Sequence, residues 1–172
     1  MSSLTCVSQS THCLKQLANI PQWGIKHAFI INAKDKKIDL YDGGKTEYSA
    51  TTLESVAKGV VGVLKHPDET ANRAVYVSSA VISQQKLLDL GKKALGAEGW
   101  TTPEPSTSEA VASAYEAFQS DPSNVMGWAF GFLKRSIFAA EHKPKFVKND
   151  NELLGVPQTS DEDLERWIKE AA

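Results

Sequence analysis

The spacing of apolar residues changes several times along the chain, and each change marks an element. His27 to Ala33 holds the apolar run Ala28-Phe29-Ile30-Ile31, and Ile38 to Tyr41 is a second extended candidate. The polar Lys34-Asp35-Lys36-Lys37 between them predicts a hairpin turn. Asp42-Gly43-Gly44 then breaks the chain, because glycine tolerates positive φ at little cost. Val56, Val60, Val63 and Leu64 recur at helical spacing on one face, behind a cap at Thr51 or Thr52. His66-Pro67 ends that helix, since the residue before proline is pushed out of the α region. Arg73 to Ser78 alternates as a strand with Val75 and Val77 on one side and Tyr76 on the other.

The second half of the chain reads as mostly helical. Ser83 caps a helix that turns Leu87, Leu88 and Leu95 inward and stops at Gly96. Trp100-Thr101-Thr102 is a short extended stretch ended by Pro103 and Pro105. Ser106-Thr107-Ser108-Glu109 fits a capping box and opens a helix to about Gln119. Asp121-Pro122 predicts another start, with proline in the first helical position, for a helix to about Ala140 that is apolar on most faces. Ser160 opens a last short helix carrying Leu164, Trp167 and Ile168, with Asp161, Glu162 and Asp163 suiting its dipole. The order of strand, strand, helix, strand, helix and then mostly helix is α/β or α+β. It lacks the repeated βαβ units of a complete doubly wound sheet.

Composition narrows the class only a little. The chain has 172 residues, 41% apolar and 23% charged, as in an ordinary soluble domain able to bury a core. A net charge of -2 points away from nucleic acid, which asks for a basic excess. The most apolar stretch, Val125 to Leu133, is far short of the roughly 20 residues of a membrane span. The N-terminus lacks the pattern of a secretory signal, so a cytoplasmic location is expected. Cys6 and Cys13 are not at C-x-x-C spacing; free thiols are expected, with a disulfide or a metal pair with His12 as the other reading. None of the four histidines has another ligand at metal spacing, so no metal site is expected.

Several stretches carry a family resemblance by their order and spacing. They are Tyr41-Asp42-Gly43-Gly44, Tyr48 to Glu54, Val60 to Arg73, Val75 to Ser79, Val81 to Leu88, and Asn151-Glu152-Leu153-Leu154-Gly155-Val156-Pro157. Together they resemble the C-terminal half of a fungal NmrA-like, isoflavone-reductase-like oxidoreductase, an atypical short-chain dehydrogenase. The resemblance implies a poorly matching segment 1–22 and an NmrA-like substrate-side region 23–172. The implied fold is partial: a few strands, several helices, a mostly helical C-terminal part and an incomplete Rossmann domain.

The resemblance implies NADPH as cofactor, yet the scattered glycines form no G-x-G-x-x-G or G-x-x-G-x-x-G run. Gly59-Val60-Val61-Gly62 falls inside a helical pattern, where close packing is the expected role. No position matches the family's catalytic lysine, so no catalytic or cofactor-binding residue is assigned. Tyr41-x-x-x-Lys45 has the letters of the Tyr/Lys pair of classical short-chain dehydrogenases, but the intervening Asp-Gly-Gly is turn chemistry, and a catalytic role is not expected. By resemblance Trp23, Phe29, Met126, Trp128 and Phe130 are substrate-pocket candidates; core packing is the other reading of the same side chains.

The function so implied is a truncated NmrA-like oxidoreductase whose relatives use NADPH to reduce small aromatic or polyketide-like substrates, often in fungal secondary metabolism. The alternative is a non-catalytic module or fragment that docks on a protein partner or on itself. In that case Phe29 to Ile31 and Val75 to Val77 are strands left with unpaired edges, which favour association.

Overall fold

The structure, a computed structural model, describes residues 24–172 together with the backbone of Leu4–Val7 (β1) and His12–Lys15 (β2). The further strands are Tyr48–Ala50 (β3), Ala74–Tyr76 (β4) and Ala80–Ile82 (β5). The helices are Leu53–Lys65 (α1), Pro67–Thr70 (α2), Gln84–Leu95 (α3), Thr107–Ser120 (α4), Val125–Phe138 (α5), Asn151–Leu154 (α6) and Asp161–Glu170 (α7). One sheet has the order β1-β2-β4, antiparallel then parallel, and β3 pairs antiparallel with β5 in the other. The architecture is mixed α/β and mostly helical.

Helix starts follow the caps. Thr52 accepts from the Ser55 N–H, Ser83 from the Lys86 N–H, and Ser160 forms a full capping box with Asp163. Two predicted starts are corrected. Ser106 takes the N–H of Ser108, one residue short of the Glu109 that a capping box would use. Asp121 ends α4 and accepts from both the N–H and the hydroxyl of Ser123, so α5 starts three residues later on the Asn124 cap. The rule of a cap followed by proline fails here because the Asp121 side chain closes a turn instead of opening a helix.

The predicted hairpin survives only as its turn. Asn32 and Lys37 exchange backbone hydrogen bonds of 2.8 and 2.9 Å, and residues 27–30 are turn and bend, not strand. Ile38, Leu40 and Asp42 donate instead to the carbonyls of Thr101, Pro103 and Pro105. Pro103 and Pro105 lack an N–H, so they cannot reciprocate, and the pairing never becomes a full ladder. Val75 does lie in a strand, but β4 pairs in parallel with β2 on one side. Its other side is covered by side chains: Asp150 accepts from the Tyr76 N–H at 2.9 Å, and the Asn151 amide both accepts from and donates to the backbone of Ser78. The tail motif that begins at Asn151 is therefore a strand-edge clasp.

Apolar side chains gather in two clusters. The larger joins Ile31, Ile38, Tyr41, Tyr48, Ile82 and Leu87 to Ile137, Phe138, Leu164 and Ile168. The smaller sets Val75 and Val77 against Leu154 and Val156, flanked by Val56, Val60 and Val63 of α1. Leu64 corrects the expected stripe: it is 68% exposed, because the buried face of α1 runs through Ser55, Gly59 and Gly62. A Cβ on Gly62 would lie 2.6 Å from the Leu154 carbonyl oxygen, so this glycine has the expected close-packing role.

The Tyr48 hydroxyl is fully buried and makes no hydrogen bond among the described residues, and burial pushes the phenol far above its ordinary range, so it stays neutral. Leaving such a group unsatisfied costs about 1–3 kcal/mol. Tyr48→Phe is accordingly expected to leave thermal stability unchanged or raise it by about 1–2 kcal/mol. A loss of stability in a urea melt would show that the hydroxyl has a partner.

Candidate functional site

The turn at Tyr41–Gly43 is the hub of the described structure. Asp42, Gly43 and Gly44 all have positive φ, at 48°, 83° and 70°, which Asp and Gly tolerate best. The bend aims consecutive groups at three helices. Gln84 at the start of α3 is buried and accepts from the Tyr41 N–H at 3.0 Å while its amide donates to the Asp39 carbonyl. The Asp42 carboxylate accepts from the N–H and the hydroxyl of Thr107, the first residue of α4. The Tyr41 phenol accepts from Lys134 Nζ of α5 at 2.8 Å.

Phe138, one turn beyond Lys134, stacks on the Tyr41 ring with centroids 5.5 Å apart, and Phe130, one turn before it, meets Phe29 at 5.3 Å. One face of α5 thus presents Phe130, Lys134 and Phe138 to Phe29 and Tyr41. Phe29 and Tyr41 share a small cavity of about 130 Å³ with Asn32, Asp39 and Gln84.

The structure brings Phe29 and Phe130 of the pocket candidates together. Trp128 faces another way: it meets Phe118 of α4 at 5.2 Å and Phe132 at 6.1 Å, and its indole N–H donates to the Pro122 carbonyl. Met126 is 67% exposed at the free end of α5. Trp23 lies outside the described residues, as do the side chains of Cys6, His12 and Cys13, although the backbone register sets Cys6 opposite Cys13. Sequence reasoning weighed Tyr41 only beside the exposed Lys45 and expected no catalytic role for that pair; Lys134 and Gln84 were overlooked. A signal was present, since Lys134 sits at i+4 from Phe130 and i−4 from Phe138 on an apolar face.

The described residues do not fit a dinucleotide. The turns that lead from β3 into α1 and from β5 into α3 carry Thr51-Thr52 and Ser83, whose side chains and backbone are spent on caps and strand contacts. Such a cofactor needs glycines there so that its pyrophosphate can approach the backbone. Among the described residues no group of three or more His, Cys, Asp or Glu could hold a metal, and no helix is long and apolar enough to cross a membrane.

Over 130 residues the chain is 32% identical to the oxidoreductase PoxI of Penicillium oxalicum, a match that covers 73% of this chain and 40% of PoxI. The same match is found with PoxI from strain 114-2 of that fungus. The chain is thus similar to part of a fungal oxidoreductase. No family model matches it. Among solved structures it resembles a nucleoside-diphosphate-sugar epimerase from Staphylococcus aureus with a TM-score of 0.55 at 15% identity, over 88% of this chain and 50% of the epimerase. That likeness concerns the fold. The chain spans 40% of the length of the curated relative it matches.

Proposed function

We propose that this chain is the substrate side of an NmrA-like oxidoreductase that acts on small aromatic or polyketide-like molecules, with NADPH held by a nucleotide-binding domain packed beside it. The observation that carries the reading is the aromatic face of α5 closed by Phe29, within a chain 32% identical to part of a fungal oxidoreductase. Apolar walls with a few placed polar groups are how small-molecule sites are built. Catalysis by such an enzyme depends on the protein positioning cofactor and substrate together. On this reading the aromatic face of α5 is the substrate wall, and the cofactor is held outside the described residues.

The reading is tested by calorimetric titration of the purified chain, confirmed as folded by far-UV circular dichroism, with NADPH and separately with acetophenone. The expected result is saturable acetophenone binding and no saturable NADPH binding in the micromolar range. Micromolar NADPH binding overturns the division of roles, and failure to bind either ligand overturns the substrate-side assignment.

A second reading, a docking module, is favoured by one stripe of α1. Leu53, Val61 and Leu64 are 60%, 50% and 68% exposed and lie at i, i+8 and i+11 with Ala57 between them. Light scattering separates the readings: a monomer at high concentration that binds no hydrophobic dye counts against docking.

A further inference from the structure

Lys134 is half-buried on an apolar helix face, and among the described residues no carboxylate pairs with it. Its acceptor is the Tyr41 phenol at 2.8 Å, and its ammonium lies 5.1 Å from the centre of that ring. An ammonium has three donors, so this contact leaves others unspent. Partly withdrawing a cation from water with only a neutral partner is unfavourable, and an anion arriving there relieves that cost. Tyr41 is itself held rigidly, with its ring on Phe138 and its N–H on buried Gln84. Because the phenol oxygen accepts from Lys134, its own O–H remains able to donate to the same incoming atom.

The surroundings define the rest of the ligand. Phe130 lies one helical turn, about 5–6 Å, from Lys134 on the same face of α5. It meets Phe29, which lines the same cavity as Tyr41.

We propose that Lys134 and Tyr41 form a binding site for an anionic oxygen borne on an aromatic ring, a phenolate or an aromatic carboxylate, with the ring against Phe29 and Phe130. This deepens the substrate-side reading and rests on it for the aromatic wall. The two groups have different tasks: Lys134 supplies charge and Tyr41 fixes its position and adds a second donor.

The test is direct binding to the full chain of 4-nitrophenol, whose neutral and anionic forms absorb at different wavelengths, with 4-nitrobenzoate and the neutral analogue nitrobenzene alongside. The wild-type chain is expected to bind 4-nitrophenol as its anion, so that the bound ligand titrates at lower pH than free ligand. Lys134→Met is expected to weaken the anion at least about 10-fold and to leave nitrobenzene binding unchanged, the loss of a charge-assisted hydrogen bond. Lys134→Arg retains the anion preference, which keeps the proposal testable should the methionine variant fold poorly. Binding of 4-nitrobenzoate without 4-nitrophenolate, or the reverse, tells the two oxygen sources apart and supports the site in either case. Unchanged anion affinity in Lys134→Met, or a wild-type preference for nitrobenzene, overturns it. None of these three titrations uses NADPH, so a chain that binds anions through Lys134 yet fails the acetophenone and NADPH test retains this site and loses the oxidoreductase reading.

Discussion

Phe138→Ala lowers the stability of the chain by about 3–5 kcal/mol, the range for deleting a large buried aromatic. Phe138 is 1% exposed in the larger apolar cluster. It stacks on Tyr41 with an interplanar angle of 12° and meets Tyr48 edge-on at 5.6 Å. Removal costs the transfer free energy of the ring, leaves a cavity among close-packed neighbours, and deletes two aromatic pairs. For a chain of this size the midpoint of thermal unfolding falls by roughly 6–20 °C. The ring is also the floor under Tyr41, so the variant should weaken 4-nitrophenolate binding even at temperatures where it remains folded. Phe138→Leu, which keeps much of the volume, is expected to cost less than half as much. A thermal melt with the wild-type midpoint would remove Phe138 from the core.

Gly131→Val has the second large effect, and its cause is overpacking. A Cβ at Gly131 would lie 2.5 Å from the Ala110 carbonyl oxygen and 2.6 Å from Ala114 Cβ. Backbone cannot rotate aside as a flexible side chain can, so α4 and α5 must separate. The same interface carries the ring pairs Tyr115–Phe132 and Phe118–Trp128, at 5.5 and 5.2 Å. Strain and lost ring contacts together amount to about 3 kcal/mol. The check is the midpoint of urea unfolding, read by Trp fluorescence and by circular dichroism. Because much of α4 is exposed, the two probes should separate, with the helical pair loosening before the core. Coincident, wild-type transitions would show that the helices tolerate the extra side chain.

The family resemblance was legible because its motifs turn out to be structural joints. Tyr41-Asp42-Gly43-Gly44 anchors three helices through Gln84, Thr107 and Lys134. Asn151 clasps the edge beyond β4, and Thr52 caps α1 while its N–H donates to Ser79. Less of the site was legible. Lys134 and Tyr41 stand 93 positions apart, and no local pattern links them. Met126 and Trp128 carry the same composition signal as Phe130, yet they face away from Phe29, because a helix rotates about 100° per residue and only the packing decides which face is inward. The short strands β3 and β5 were overlooked, since three residues are too few for an alternation to stand out.

What the sequence by itself determined were the local decisions: the caps at Thr52, Ser83 and Ser160, the break at Asp42-Gly43-Gly44, and the end of α1 at His66-Pro67. Those depend on hydrogen bonds and steric limits within a few residues, which adjacent side chains settle. Only the tertiary structure decided the partners. Ile38 and Leu40 have strand-like composition, but their N–H groups pair with the proline-bearing segment 101–105 and so remain outside any ladder. An ammonium on an apolar helix face acquires a chemical role only where another element brings a phenol to it. Long-range pairing is selected by the burial and hydrogen-bond needs of the whole chain at once, which no single window of sequence expresses.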